Sequence, residues 1–385
     1  MNILLTIHHP LDPNTGAPGS VLNLGQAYQN LGHQVQYFSF DNLPRWLPEL
    51  AKAVSFPEFL ASYLSKVCNL QNIDVIDASS GDAWLWAKLL RRFQAQQPLL
   101  VCRSHGLEHR GHLERIKGVS QNNKKLSWKY FIYHGGVRLW EVADSMQSAD
   151  LNFFLNQADR EYAIHSIGVK PQQAHVVHNG IPESFLNLPF EPTPISGQAV
   201  LKIVQIGSYI TRKGIQYSLP AMNFLLQKYP FIWFTMLGTG GGDNYTSEIY
   251  SKFDQTVRER VHVIQNYKHS DLPTLLKGHH IKLFPSLSEG VGKALLEAMA
   301  CGLVGITTPT GALEIVEKGK NALVIPFRDQ FAIQDAIEEL IIDREKLNSL
   351  RVQAYKASQN YGWSTVAKKR LFLYEIGLNS RIRSA

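Results

Sequence analysis

Two carboxylates separated by seven residues, Glu289 and Glu297, carry the clearest chemical signal in this chain. They lie in Pro285-Ser-Leu-Ser-Glu289-Gly-Val-Gly-Lys-Ala-Leu-Leu-Glu297-Ala-Met-Ala-Cys-Gly302. The first borders a Gly-x-Gly turn, and the second falls in a helix-forming run that Gly302 can close. Eight helical steps give about 12 Å of rise, whereas the paired carboxylates of a glycosidase flank one bond at about 5 to 9.5 Å. The spacing argues against hydrolysis at one bond. It suits a grip on both ends of a nucleotide sugar, one acid on the sugar hydroxyls and the other on the ribose. Gly290 and Gly292 allow close backbone approach, and a helix starting near Lys293 turns N–H groups toward an anion such as a diphosphate. A surface helix with solvated glutamates is the competing reading.

Other residues could serve the same ligand. Arg212 and Lys213, in Gly207-Ser-Tyr-Ile-Thr-Arg-Lys-Gly214, follow an apolar run and are placed to hold a diphosphate and its developing charge; an exposed basic turn is the alternative. The loop from Gly238 to Gly242 permits close ligand approach, or is simply flexible, and it lacks a dinucleotide fingerprint. Gly16 and Gly19 follow the first apolar run, at the edge where open α/β sheets bind ligands. His105, in Arg103-Ser-His-Gly106, could orient a hydroxyl or pass a proton, although a lone histidine is often structural. With no Asp-x-Asp pair and no His/Asp cluster at ligand spacing, no catalytic metal and no cofactor are expected.

The elements that must position these groups alternate. Ile3–Ile7, Gln34–Phe38, Val75–Asp77 and Leu99–Cys102 read as strands, with a turn-rich loop over 12–19 and a helix from about Ser20 to Leu31. Leu188 to Gly197 holds three prolines and breaks the pattern. Strands then resume at Leu201–Ile206, Phe231–Leu237, His262–Gln265, Lys282–Phe284, Val304–Thr307 and Ala322–Ile325, and a helical segment follows Trp363. This predicts two parallel α/β layers joined by a hinge, with a cleft between them. The expected divisions are 1–187, a linker 188–200, 201–362, and a terminal helix 363–385.

Composition bounds the rest. A chain of 385 residues with 44% hydrophobic residues and no long apolar run reads as globular, without a membrane span. Three scattered cysteines and an N-terminus resembling a buried strand point to the cytoplasm. Between Trp84 and Trp140 eleven basic residues face only Glu108 and Glu114, a patch for anionic membranes or substrates. Within it, Lys124-Lys125-Leu-Ser-Trp128-Lys129-Tyr130-Phe131-Ile-Tyr133 suits an anionic membrane surface. No helix-turn-helix, zinc or RNA-recognition signature supports nucleic-acid binding.

At this point the chain resembles the retaining glycosyltransferases of family 4, with the GT-B fold. The best match runs from Phe284 to Pro326, with Ser-x-x-Glu-Gly-x-Gly-x-x-x-x-Glu-Ala-Met-Ala-x-Gly, then Gly311-Ala-Leu-Glu314 and Gly319-x-Asn321. Weaker matches in order are Gly16/Gly19, Gly32-His33-x-Val35, Ile73-Asp-Val-Ile, Ser104-His105-Gly106, His178-Asn179-Gly180-Ile181, Arg212-Lys213-Gly214 and the Trp363 helix. The resemblance implies two Rossmann-like doubly wound domains facing a cleft, with the terminal helix crossing back to the first. It implies Glu289 on the donor sugar, Glu297 on the ribose, and Lys213 with Arg212 on the diphosphate. His105 would lie near the reacting sugar and acceptor, and the Gly16–Gly19 loop would close on phosphates or acceptor. Gly207, Gly238, Gly290, Val291, Gly292 and Lys293 would line the donor site.

The implied reaction is metal-independent sugar transfer from a nucleotide sugar to a glycan, lipid-linked or polysaccharide acceptor, with retention and by front-face attack. A peripheral place at the inner membrane is expected. The alternatives are a GT-B epimerase, a sugar-phosphate synthase, and a non-catalytic subunit that binds the nucleotide sugar. Four positions depart from the family pattern: Ser208 replaces a common arginine, Val291 an aromatic, and Lys293 an apolar residue. The fourth, Ala312 in place of a second glycine, is expected to lie in a loop with little effect.

Overall fold

The computed structural model describes residues 1–121, 127–196 and 198–382. Lys124 and Lys125 lie outside the described residues. The chain divides into two compact units, Met1–Gly180 with Trp363–Ala385, and Ile181–Gly362.

In the first unit six parallel strands are ordered β2-β1-β3-β4-β5-β6, namely β1 Asn2–Thr6, β2 Gln34–Phe38, β3 Val75–Ser79, β4 Leu99–Arg103, β5 Leu151–Phe154 and β6 Ala174–Val176. Side chains alternate across a strand, so each strand feeds two cores. Leu4, Ile76, Leu100 and Phe154 pack on one face, and Ile3, Leu5, Val75, Val101 and Phe153 on the other. The second face is covered by the helices Gly16–Asn30 and Trp363–Ile382, the latter contributing Trp363, Val366, Leu371 and Tyr374. A polar knot lies within this layer. Asp77 accepts from Arg103 Nη1 at 2.7 Å, Tyr374 Oη at 2.5 Å and Arg370 Nη1 at 3.3 Å. Tyr374 and Tyr28 hydroxyls meet at 2.9 Å.

The second unit is another parallel six-stranded sheet, ordered β12-β11-β10-β7-β8-β9: β7 Leu201–Ile206, β8 Ile232–Leu237, β9 Val261–Ile264, β10 Ile281–Phe284, β11 Val304–Thr307 and β12 Ala322–Val324. Counted from its own first strand this is the 3-2-1-4-5-6 Rossmann order, reversing between β7 and β10. The first unit has the flavodoxin-like doubly wound order and reverses between β1 and β3.

Several expectations are corrected. The second unit begins at Ile181, before residue 188, because Ile181 bridges Gly362 and Phe185 is buried within this unit, stacked on His269. The proline-rich stretch is tied to the Arg344–Ser358 helix: Asn348 exchanges two bonds with Thr193, Arg351 bonds Glu191, and Tyr355 bonds Leu188. The helix expected at Ser20 begins at Gly16. Strands β5 and β6 carry no sequence signal strong enough to find them, being four and three residues long.

Candidate functional site

In the second unit the loops after β7 and β10 meet at the reversal of strand order, where open α/β sheets bind ligands. Gly214 holds φ +72°, and a Cβ there would come within 2.1 Å of the Pro285 carbonyl oxygen. Only glycine therefore lets the 3-10 turn Thr211–Lys213 pack onto the end of β10. Leu287 N donates to the Arg212 carbonyl at 2.8 Å, and Arg212 Nη1 donates to the Ser288 carbonyl at 2.9 Å. This stapling delivers Glu289 to both cations: its Oε1 accepts from Lys213 Nζ at 2.6 Å and from Arg212 Nη1 at 3.4 Å. Gly207, at φ +134°, leaves the Lys213 side chain room; a Cβ would sit 3.2 Å from its Cε.

Beyond Glu289 the chain turns through Gly290, Val291 and Gly292, the last at φ +77°, into the helix Lys293–Ala300, which has no side-chain N-cap. Glu289 lies outside that helix. The rise estimated for eight helical steps thus does not apply, because half of the steps belong to an irregular turn. Val291 is buried at 3% exposure, so its side chain is turned from solvent at this turn. Gly311 keeps its lack of a side chain for packing, since a Cβ would lie 1.7 Å from the Gly290 oxygen. Ala312 is fully buried in the 3-10 turn Gly311–Glu314, with its Cβ 3.3 Å from where one on Gly292 would be. It is a packing residue, and the expectation of an inconsequential loop position is corrected.

Glu297 forms the second focus. It is nearly enclosed, meets His269 Nε2 at 2.7 Å, and lies 3.6 Å from Lys293 Nζ. Lys293 is thus directed at the carboxylate one turn on. Tyr267 completes this side: its ring lies 3.1 Å from the Cβ position of Gly238, and burial, with Glu297 as the lesser cause, pushes its phenol up to about 12. Sequence reasoning missed both His269 and Tyr267, which sit in a short polar segment after β9 without periodicity. Taken together, the unit presents two carboxylates, three cations and a helix start in one stretch of sheet edge. Such a set can neutralise a diphosphate while its acids accept from hydroxyl groups.

His105, Gly16 and Gly19 belong to the first unit. His105 Nε2 lies 3.1 Å from Ser79 Oγ, and its Nδ1 is enclosed with no hydrogen-bond partner among the described residues. Burial first, then the Arg103 guanidinium, pushes this imidazole well below its usual range, so it is neutral. Gly16 and Gly19 lie inside the first helix and not in a loop. A Cβ on Gly19 would strike the Pro13 carbonyl at 2.7 Å, so its close approach is to the chain itself; Gly16 faces open space.

The reversal point of this sheet holds a pair that sequence reading passed over, because its members are 74 residues apart. His8 Nδ1 meets Asp82 Oδ1 at 2.6 Å, and Thr6 Oγ1 donates to Asp82 Oδ2 at 3.1 Å. Asp82 is fully buried, and Arg138 Nη2 lies 3.7 Å from it. Ser80, just before, holds an unusual φ of +43°. A carboxylate bound to Nδ1 orients an imidazole so that Nε2 can accept a proton. Among the described residues no group of three or more His, Cys, Asp or Glu could hold a metal ion.

Comparisons with known proteins agree across the chain. The family model described as Glycosyltransferase Family 4 matches residues 15–185, and that described as Glycosyl transferases group 1 matches 197–357. A phosphatidylinositol N-acetylglucosaminyltransferase subunit of Arabidopsis thaliana is 25% identical over 65% of this chain and 55% of its own length. An uncharacterized glycosyltransferase of Methanocaldococcus jannaschii is 21% identical over 83% of this chain and 80% of its own. The chain spans about half the length of the first of these curated relatives. Sucrose-phosphate synthase from Thermosynechococcus elongatus has a TM-score of 0.76 at 17% identity, covering 98% of this chain and 99% of its own. Anabaena HepE, solved with UDP and glucose, has a TM-score of 0.68 at 18% identity, covering 97% and 99%.

Proposed function

The chain belongs to the family 4 glycosyltransferases, with the GT-B fold, and on that premise we propose that it transfers a sugar, with retention, from a nucleotide sugar to a glycan or lipid-linked acceptor without a metal. The observation that carries this reading is the Glu289 carboxylate held by Lys213 and Arg212 at the reversal between β7 and β10, beside the start of the Lys293–Ala300 helix. In the working state Lys213 and Arg212 hold the diphosphate, and Glu289 exchanges its cations for the hydroxyls of the sugar. Glu297, oriented by His269, accepts from the ribose, and the Tyr267 ring flanks the base. The leaving phosphate takes the acceptor's proton, so no enzyme nucleophile is needed. HepE, solved with UDP and UDP-glucose, supports a uridine nucleotide as the first to try.

A thermal-shift series with uridine, guanosine and adenosine diphosphates tests the reading. A ligand present at about 100 times its Kd stabilises the folded state by about 2.7 kcal/mol, a rise of several degrees. Identical melting temperatures with all three would remove the reading. Hydrolysis of the matching nucleotide sugar by purified protein then separates a transferase from a protein that only binds the donor. That second reading is prompted by relatives named as subunits of a larger enzyme.

The acceptor is proposed to be lipid-linked and presented at the inner membrane face. No helix among the described residues is long and apolar enough to cross a membrane. Trp128 and Phe131 are nevertheless exposed at 67% and 49%, with Ile132, Val137 and Trp140 exposed nearby in sequence and Arg115 stacked on Tyr130. Exposed aromatic groups among cations suit an anionic interface. Trp128→Ser/Phe131→Ser should reduce flotation with phosphatidylserine vesicles severalfold at unchanged melting temperature. Equal flotation of variant and parent would count against the membrane surface.

A further inference from the structure

One interior strand residue of the second unit is charged where its neighbours are apolar. Lys282 sits on β10 in register with Val204 of β7 and Gly305 of β11, and none of its surface reaches solvent. Among the described residues its amine bonds only the Ile206 carbonyl, at a long 3.5 Å. It lies 5.5 Å from the centre of the Phe284 ring, and Lys213 Nζ lies 5.8 Å from the centre of that same ring. The ring in turn comes within 3.1 Å of the Cβ position of Gly292, at the helix start. A buried amine with one long hydrogen bond among the described residues thus packs against the same ring as Lys213.

Its charge is governed first by burial and then by the charges of Lys213 and Glu289. Burial first, and the Lys213 charge second, push Lys282 well below the usual lysine range, while Glu289 and Glu297 oppose them. Arg212 pairs with Glu289, and His269 and Lys293 pair with Glu297. The strand neighbours Val204 and Gly305 carry no charge. A diphosphate drawn to Lys213 would bring negative charge to the cation whose field Lys282 senses and offset that field.

We propose that occupation of the donor site by a diphosphate is coupled to protonation of Lys282, which becomes the interior counter-charge of the leaving group. The inference rests on the donor-site reading above. The proton comes from solvent, and the need for it grows during transfer, because the diphosphate gains negative charge as the bond to the sugar breaks. Lys282 acts as a positioning residue, through Lys213 and Glu289. By linkage, a site that takes up a proton on binding holds its ligand less tightly as pH rises between the free and bound ionisations.

Calorimetric titration of the full chain with uridine, guanosine and adenosine diphosphates tests this. It is run at about pH 8.5, above a phosphate ionisation near about 6, in buffers of different ionisation enthalpy. Wild-type protein should take up a fraction of a proton per diphosphate bound, up to roughly half for a tenfold coupling, and Lys282→Met none. The variant should bind on the order of tenfold more weakly, the scale of one charge about 10 Å away at an effective dielectric of about 20. It should also melt higher when free, since an apolar chain replaces a buried amine. Binding with buffer-independent heat in the wild type, or equal uptake in Lys282→Met, overturns the role of Lys282 alone. No binding of any of the three overturns the donor-site reading and this inference with it.

Discussion

Glu289→Ala should lower kcat/KM for sugar transfer by about 10²–10³, the scale of losing one preorganised polar contact to a transition state, while the melting temperature stays within a few degrees of wild type. The carboxylate lies at the edge of the sheet, in a loop held by other bonds: Leu287 N to the Arg212 carbonyl, and Arg212 Nη1 to the Ser288 carbonyl. Those bonds do not involve the Glu289 side chain, so the loop keeps its course. The lost groups are the proposed acceptor for sugar hydroxyls and the anion that meets Lys213 at 2.6 Å. A purified variant with near-normal turnover would end the assignment of Glu289 to the donor sugar. Comparing initial rates over a range of nucleotide-sugar concentrations shows whether the loss falls on kcat or KM.

The largest expected effect on stability is at Asp77, far from that loop in sequence. Asp77 is fully buried and is the common acceptor for Arg103, Arg370 and Tyr374. Asp77→Ala leaves two guanidinium groups enclosed without their anion, and breaking a buried pair in this way costs about 3–5 kcal/mol. The loss falls on the contact between the first sheet and the Trp363–Ile382 helix, because Arg370 and Tyr374 both come from that helix. Urea unfolding of Asp77→Ala should show an early transition that is absent in the parent, and Asp77→Asn, which keeps one acceptor oxygen, should lie between. A midpoint unchanged in Asp77→Ala would mean that the helix is held by Trp363, Val366 and Leu371 alone.

How far the site could be read from sequence depended on how local each signal was. The helix Lys293–Ala300, its entry at Gly292 and its exit at Gly302 follow from turn chemistry within a few residues, and the structure reproduces them. Lys213 and Glu289 stood out because each is a charge beside a glycine in the loop after a strand, and Arg212 because it adjoins Lys213. The short strands β5 and β6 were invisible, since three or four residues give no period to detect. Gly16 and Gly19 looked like loop glycines, yet they belong to a helix, because glycine composition by itself does not say whether the freedom it permits is used.

The sequence alone determined the alternation of strands and helices, the two-layer plan and the principal charged groups of the second unit, all of which are encoded in periodicity and in contacts between near neighbours. Tertiary structure alone decided the strand orders, and with them every partner that comes from a distant strand end. His269 reaches Glu297, His8 reaches Asp82, and Lys282 is buried against the Phe284 ring that Lys213 also meets. The physical reason is that a parallel sheet brings together the carboxyl ends of strands in an order that chain position does not reveal. Which carboxylate meets which cation is therefore settled only when β7 comes to lie beside β10, and β1 beside β3.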